Sequence, residues 1–278
     1  MKKHIKTLVK AALKEDIGKG DLTAVLIPKK AQAQAKLICR ETAVLCGVPW
    51  FNEAFKRVDA EVTLDWQLSE GQMMQPDQTI CLISGNARSI LTAERTAINL
   101  LQTLSGTASV SHEYAAQLNG LHTQVLDTRK TIPGMRRAQK YAAKVGGAEN
   151  HRIGLYDGVL IKENHIRAAG SVKKAVDQAM KNAQKNTLLE VEVENLSEMQ
   201  QALEAGAKRL LLDNFSLALM REAVAQKPDD VKLEASGNVT LETLREIALT
   251  GVDYISVGAL TKHVRATDFS LQFNLELK

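Results

Sequence analysis

Apolar positions along the chain fall into two rhythms. Up to about residue 108, helical and strand-like spacings alternate irregularly. Ile5, Leu8, Val9, Ala12 and Leu13 recur at helical spacing and predict an amphipathic first helix. Asp21-Leu22-Thr23 and Pro28 mark a turn, and 35–38 reads as a strand. Pro49 suits the first turn of a helix running to residue 58. Residues 61–66 alternate as a strand does, turns follow at Glu70-Gly71 and Pro76-Asp77, and 79–83 is another strand. A long helix over about 89–104 then carries Ile90, Ala93, Ala97, Leu101 and Leu104 on one face. Strands followed by helices predict an α+β layer.

From residue 121 the rhythm becomes regular. Short apolar runs at 124–126, 158–161, 188–193, 209–212, 231–233 and 254–257 alternate with helical stretches such as 172–183, 196–205 and 241–249. Repeated strand–helix units imply a parallel sheet with right-handed crossovers. Each run ends in polar or flexible residues: Asp127-Thr128-Arg129-Lys130, Lys162-Glu163-Asn164, Glu192 to Asn195, Asp213-Asn214, Ser236-Gly237-Asn238 and Gly258. The last two intervals, Asp213 to Ser236 and Ser236 to Gly258, are only 23 and 22 residues, the tight repeat of an α/β barrel whose chemistry gathers at the carboxyl rim. An open doubly wound sheet obeys the same rim rule. Neither GxGxxG nor GxxxxGK[ST] occurs, so the usual dinucleotide and P-loop sites lack support.

Composition then sharpens the picture. The 278 residues are 45% hydrophobic and 24% charged, as in an ordinary globular chain, with a formal charge of only +4. That charge is concentrated. Nine Lys/Arg against three acids between Arg129 and Arg167 point to an anionic ligand. Arg136, Arg137, Lys140 and Lys144, at i, i+4 spacing, read as the solvated face of a helix. Arg129, Lys130 and Lys162, at strand ends, read as ligand-binding groups, with His151 and Arg152 in the loop between.

In Glu190-Val-Glu-Val-Glu194 the carboxylates share one side of a strand. Either that strand end opens to water, with Glu190 paired to a lysine, or Glu192 and Asp213 reach the mouth to hold hydroxyls or a Mg²⁺ ion. The glycine-bearing loops Ser236-Gly237-Asn238 and Val257-Gly258-Ala259 suit a phosphate. Three cysteines without CxxC spacing, no apolar run of membrane-spanning length, and lysines that interrupt any signal-like N-terminal core predict a cytoplasmic protein.

At these residues the sequence resembles the quinolinate phosphoribosyltransferase (carboxylating nicotinate-nucleotide pyrophosphorylase) family. The carrying segments are Leu126-Asp-Thr-Arg-Lys-Thr-Ile-Pro-Gly134, Asn150-His-Arg-Ile-Gly-Leu-Tyr156, Leu160-Ile-Lys-Glu-Asn-His-Ile166, Glu190 to Glu194, Leu211-Leu-Asp-Asn214, Glu234-Ala-Ser-Gly-Asn238 and Ile255-Ser-Val-Gly-Ala-Leu-Thr261. Nearer the N-terminus, Glu15 to Gly18, Gly20 to Thr23, Glu94 to Leu100 and Leu104-Ser-Gly106 match as well. The chain departs from the family at Ala148 and Val145, where a third glycine and a cysteine are usual.

The resemblance implies an N-terminal α/β sandwich (1–108, rejoined by 266–278) followed by an incomplete, seven-stranded parallel α/β barrel (109–265). It implies phosphoribosyl transfer from 5-phosphoribosyl 1-pyrophosphate to quinolinate with Mg²⁺, releasing pyrophosphate and CO₂. It further implies a homodimer in which Arg95 reaches the barrel mouth of the neighbouring subunit. Thr128, Arg129, Lys130, His151, Arg152 and Lys162 would line the quinolinate pocket. Glu192 and Asp213 would serve ribose and metal, and Ser236, Gly237, Asn238, Val257, Gly258 and Ala259 the 5-phosphate. Lys130, Lys162, Glu192 and Asp213 form the implied catalytic set. Rival readings are a molybdenum-transport-associated paralogue with another acceptor, and a phosphosugar-binding barrel lyase or isomerase.

Overall fold

The computed structural model describes residues 1–183 and 187–276. In chain order the elements begin with α1 (Lys2–Ile17), β1 (Gln32–Cys39), β2 (Ala43–Val44), α2 (Val48–Val58), β3 (Thr63–Trp66), β4 (Met73–Met74), β5 (Thr79–Asn86) and α3 (Ala87–Gln117). There follow β6 (Gln124–Leu126), α4 (Arg136–Val145), β7 (Gly158–Ile161), α5 (Glu163–Ala169), α6 (Val172–Asn182), β8 (Leu188–Val193) and α7 (Leu196–Glu204). The chain continues with β9 (Arg209–Asp213), α8 (Leu217–Gln226), β10 (Lys232–Ser236), α9 (Leu241–Ala248), β11 (Tyr254–Ser256), α10 (Ala259–Lys262) and β12 (Phe269–Glu276).

Two compact units result. The first comprises Met1–His112, Thr131–Gly147 and Thr261–Lys278, and the second Glu113–Lys130 and Ala148–Leu260. Residues 131–147, expected within the barrel, thus cluster with the first unit. The reason is visible in α4, where Ala138, Gln139, Lys140, Ala142 and Ala143 are all buried. Ala138 and Ala142 join the first unit's apolar cluster, and Gln139 donates through Nε2 to the Thr261 carbonyl at 3.0 Å. Lys140, read from its spacing as solvated, is only 3% exposed. A helix covered over most of its circumference leaves no solvated stripe for i, i+4 spacing to predict.

In the first unit, β12-β1-β5-β3 form an antiparallel sheet and β2 pairs with β4. Alternation along β1 turns Ala33, Ala35 and Leu37 inward, against α1, α2 and α3. Phe51 anchors this core, with its ring 4.9 Å from that of Phe55 and edge-on to Trp66 at 5.1 Å. The C-terminal β12 pairs along the whole of β1, from Gln32–Glu276 to Cys39–Phe269.

In the second unit, six parallel strands run in the order β6-β11-β10-β9-β8-β7. The expected seventh strand survives only as one parallel bridge, between Leu126 and Glu149 on the far side of β6. Pairing stops there for a local reason. The next two residues turn to the Asp127 carboxylate, Asn150 Nδ2 donating at 2.7 Å and the His151 amide at 2.9 Å, which draws the chain out of the ladder. The intervening helices start at side-chain caps: Ser171, Asn195, Ser216 and Thr240 each accept the amide three residues on.

Gly106 of α3 is needed for close approach within the first unit, since a Cβ there would overlap the Arg265 carbonyl oxygen. Gly106→Ala should therefore cost about 2 kcal/mol and lower Tm by roughly 4–8 °C. Thermal unfolding checks this, and an unchanged Tm would contradict the packing.

Candidate active site

Because the strands of the second unit are parallel and in sequence-adjacent order from β7 to β11, their carboxyl ends share one edge. Register places Leu211 opposite both Glu192 and Glu234, and Asp213 opposite Ser236. Side chains two apart share a face, so Glu190, Glu192, Arg209, Asp213, Glu234 and Ser236 all project from the same side of the sheet. Thr128 to Lys130 follow β6, Lys162 follows β7, Ser236 to Asn238 close β10, and Val257 to Ala259 follow β11. The structure therefore brings the strand-end candidates to one edge.

The cations are held by specific contacts. The Arg152 stem lies across Gly158, where a Cβ would come within 3.2 Å of Arg152 Cβ, and its Nη1 donates to the Gly158 carbonyl at 3.0 Å. Burial pulls the Arg152 pKa below its ordinary value, and the neighbouring positive charge of Arg129 pulls it further. The two guanidinium groups are thus near enough to feel each other. Lys130 lies over Gly258, whose missing Cβ would sit 3.0 Å from Lys130 Cδ, and its amide donates to Thr128 Oγ1 at 3.1 Å. Lys162 forms an ion pair with Glu192, which also borders a cavity of about 480 Å³.

The loops assigned to phosphate are tightly joined. Gly237 has φ +110°, and a Cβ on it would collide with the Asn214 side chain, so this position requires glycine. Asn214 donates its amide to the Ser236 carbonyl at 2.9 Å. Ser236, Gly237 and Asn238 lead directly into the capped N-terminus of α9.

His151 behaves differently from the expectation that it lines the pocket. Its side chain is 8% exposed and turns to buried carboxylates, with Nε2 2.8 Å from Glu190 Oε2 and 3.4 Å from Glu234 Oε2. Glu190 is paired not with a lysine but with Arg209, whose Nε donates to Glu190 Oε1 at 2.9 Å and whose Nη2 donates to Glu234 Oε2 at 2.7 Å. Burial would raise Glu190, but His151 and Arg209 outweigh it and hold its carboxyl below the ordinary range. Glu234 goes the other way. Burial, and then the charge of Glu190, push it up to about 7, and its Oε1 is buried without a hydrogen-bond partner.

The two carboxylates favour an imidazolium at His151, against the burial that lowers its pKa. However, Nδ1 accepts the Arg152 amide at 2.7 Å. A proton on Nδ1 would set two donors against each other, so in the neutral ring the proton lies on Nε2, while the carboxylates raise the pKa of the ring above its ordinary value.

Among the described residues, His151, Glu190 and Glu234 form the only three-ligand cluster compact enough for a metal ion. The Arg209 guanidinium bonded to both carboxylates already neutralises it, which disfavours a cation. Glu192 and Asp213 instead offer two hard oxygen donors on adjacent strands at the rim. That set fits Mg²⁺, which is commonly held by one or two carboxylates together with water and substrate phosphates. Arg95, on α3 of the first unit, has a 61% exposed side chain with Glu94 3.9 Å away. Sequence reasoning missed Asp127, Arg209 and Glu234. Asp127 showed a signal as a strand-end acid, whereas Arg209 opens one apolar run and Glu234 directly follows another, and both showed their role only through cross-strand register.

Two family models match the chain: quinolinate phosphoribosyl transferase, N-terminal domain, over residues 21–105, and C-terminal domain, over residues 107–272. The chain belongs to the quinolinate phosphoribosyl transferase family. It is 37% identical over 272 residues to the Bacillus subtilis (strain 168) protein named "Probable nicotinate-nucleotide pyrophosphorylase [carboxylating]", covering 98% of this chain and 94% of that one. It is 36% identical over 293 residues to a Nicotiana tabacum mitochondrial quinolinate phosphoribosyltransferase [decarboxylating], covering 98% and 83%. The solved nicotinate-nucleotide pyrophosphorylase from Francisella tularensis superposes with a TM-score of 0.95 at 47% identity, covering 99% of this chain and 97% of that one. The N-terminal sheet unit and the parallel α/β unit, an incomplete barrel, agree with this family's fold.

The raised Glu234 pKa has a consequence for stability. Between the ordinary carboxylate value and about 7, the folded protein keeps a proton that the unfolded chain has released, so this group makes stability fall as pH rises through that window. Glu234→Gln removes the effect, and relative to wild type the variant should gain stability between about pH 5 and pH 8. Denaturant unfolding at both pH values checks it, and a constant difference between the two proteins would contradict the assignment.

Proposed function

We propose that the protein transfers the phosphoribosyl group of 5-phosphoribosyl 1-pyrophosphate to the ring nitrogen of quinolinate and releases one carboxylate as CO₂. The products are nicotinate mononucleotide and pyrophosphate, a step of NAD synthesis. The observation that carries this reading is the gathering of Arg129, Lys130 and Lys162 at the carboxyl ends of β6 and β7, with Arg152 in the loop tied to the end of β6. Several cations on one edge, two of them forked, favour a ligand with two negative groups, and a pyridine dicarboxylate supplies them. The names of the relatives point to the same reaction.

In this reading the quinolinate nitrogen donates its lone pair to the sugar carbon as the carbon–oxygen bond to pyrophosphate breaks, the bonding pair leaving on pyrophosphate. Positive charge developing on the sugar is met by carboxylates already in place, Glu192 and Asp213, rather than by a nucleophile. Lys130, with Thr128, and Lys162 hold the acceptor in line, which supplies a large share of the rate. Once alkylated, the ring is a pyridinium. It receives the electron pair left when CO₂ departs, and the ring carbon then takes up a proton.

Backbone amides of Ser236, Gly237 and Asn238, in the loop between β10 and α9, with Val257, Gly258 and Ala259, receive the 5-phosphate. Glu192 and Asp213 would also hold Mg²⁺, which when bound offsets the charge of the departing pyrophosphate.

We take the active protein to be a homodimer in which Arg95 completes the neighbouring subunit's pocket, a role that its exposure permits. A cytoplasmic setting suits the three free, buried cysteines. Among the described residues no helix is long and apolar enough to cross a membrane.

Arg152→Ala or Lys162→Ala should lower kcat/KM for quinolinate by roughly 10²–10³-fold, the cost of losing one charged contact to the bound dicarboxylate. Coupled release of pyrophosphate and CO₂ measures this. Pyrophosphate without CO₂, or activity only with another acceptor, would favour the paralogue, and no pyrophosphate at all a lyase or isomerase. Arg95→Ala and Arg152→Ala subunits, each inactive alone, should regain partial activity when mixed under exchange conditions. No recovery would show that Arg95 does not act across subunits.

A further inference from the structure

Among the described residues, most of the charge in the second unit lies at its surface or at the carboxyl edge. Asp253, paired with Lys232, and one larger group do not. Glu190, Glu234 and Arg209 lie on the inward face, with both glutamates 0% exposed and the Arg209 side chain 16% exposed. Burying charges in this way is a poor source of stability, since desolvation consumes most of what the pairing contributes and apolar side chains of like volume do as well. A network kept at that cost invites a reason in geometry.

The contacts supply one. Arg209 begins β9, at the strand end remote from the candidate site, and its guanidinium carbon lies 4.4 Å from the centre of the Tyr254 ring. From there its fork spans two strands, to Glu190 on β8 and Glu234 on β10. Glu190 uses one oxygen for Arg209 and sets the other 2.8 Å from His151 Nε2, a close polar contact rather than an aligned hydrogen bond. His151 in turn receives the Arg152 amide on Nδ1, while its own amide is held by Asp127. The loop that carries Arg152 is thus fastened at two points, its main chain to the end of β6 and its histidine ring to the buried network. Asp157 completes the loop by accepting the amides of Ile153 and Gly154, both at 2.8 Å.

We propose that Arg209 is a positioning residue for the anion pocket: by holding the Glu190 and Glu234 carboxylates it fixes the His151 ring, and through that ring the main chain from which Arg152 reaches its ligand. This rests on the reading of Arg152 as an acceptor-binding residue. Lysine at 209 would keep the charge and lose the fork, so it could not hold two carboxylates on separate strands at once. A neutral Nε2–H ring is what lets Nδ1 accept the amide. Loosening either carboxylate frees the ring to change tautomer or take a second proton, and the amide loses its partner.

The test is Arg209→Lys, read in two ways. Nitrogen-15 NMR of histidine-labelled protein, with the His151 signal assigned by its loss in His151→Gln, should show the Nε2–H tautomer in wild type and a mixed or doubly protonated ring in Arg209→Lys. Steady-state kinetics should show KM for quinolinate raised roughly 10- to 100-fold, with KM for 5-phosphoribosyl 1-pyrophosphate little changed. If Arg209→Lys does not fold, Arg209→Met/Glu234→Gln, which removes the guanidinium together with the Glu234 carboxyl it holds, carries the same expectation.

An unchanged tautomer overturns the proposal, as does an equal change in both KM values or a loss of stability with normal KM values. Wild-type protein that fails to use quinolinate would remove the functional reading instead, and the tautomer comparison would still decide whether Arg209 holds the His151 ring.

Discussion

Arg152 can serve the edge of the parallel sheet only because the chain just before it is tied to the end of β6. Asp127, fully buried, accepts from Asn150 Nδ2 and from the His151 amide, and those two bonds end the pairing that Glu149 had begun. A carboxylate buried in this position must have such donors, because leaving it unmet would be expensive. The need to satisfy Asp127 therefore does two things at once. It cuts the seventh strand to a single bridge, and it brings the Arg152 loop to the strand end that carries Arg129.

Above and below this junction the inward face is layered. Glu190, Arg209 and Glu234 make a closed network within the sheet, while Glu192, Asp213 and Ser236, two residues further along the same strands, emerge at the rim. Alternate residues on a strand share a face, so one strand can contribute to both layers with no change of direction. β8 does so through Glu190 and Glu192. The lower carboxylate is neutralised by a fixed guanidinium, and the upper one is met by Lys162, whose flexible stem lets it exchange partners.

Much of this was legible in the sequence, because it depended on local periodicity. β6, β7 and β8 occupy the residues their apolar runs predicted, and the polar residues closing each run do lie at one edge. What was not legible depended on contacts between distant segments. The polar–apolar alternation of Glu190-Val191-Glu192 is plain in the chain, but nothing nearby says that Arg209, rather than a lysine, answers Glu190. The spacing of Arg136, Lys140 and Lys144 describes an exposed helix well, yet α4 is covered on most sides and Lys140 is buried. β12 was foreseen only as a returning segment, since its partner β1 lies more than 200 positions away. His151 could be placed near the pocket from its motif, but the direction of its ring depends on carboxylates from two other strands.

The helix caps of the second unit have a consequence for how such a protein can change over time. Ser171, Asn195, Ser216 and Thr240 each begin a helix by their own side chains, set apart from the groups at the strand ends. In these four helices initiation is thereby carried by side chains other than the ligand-meeting ones, whereas α5 begins at Lys162 itself. The ligand-meeting residues can drift, and with them the choice of acceptor, while the scaffold keeps its own starting signals.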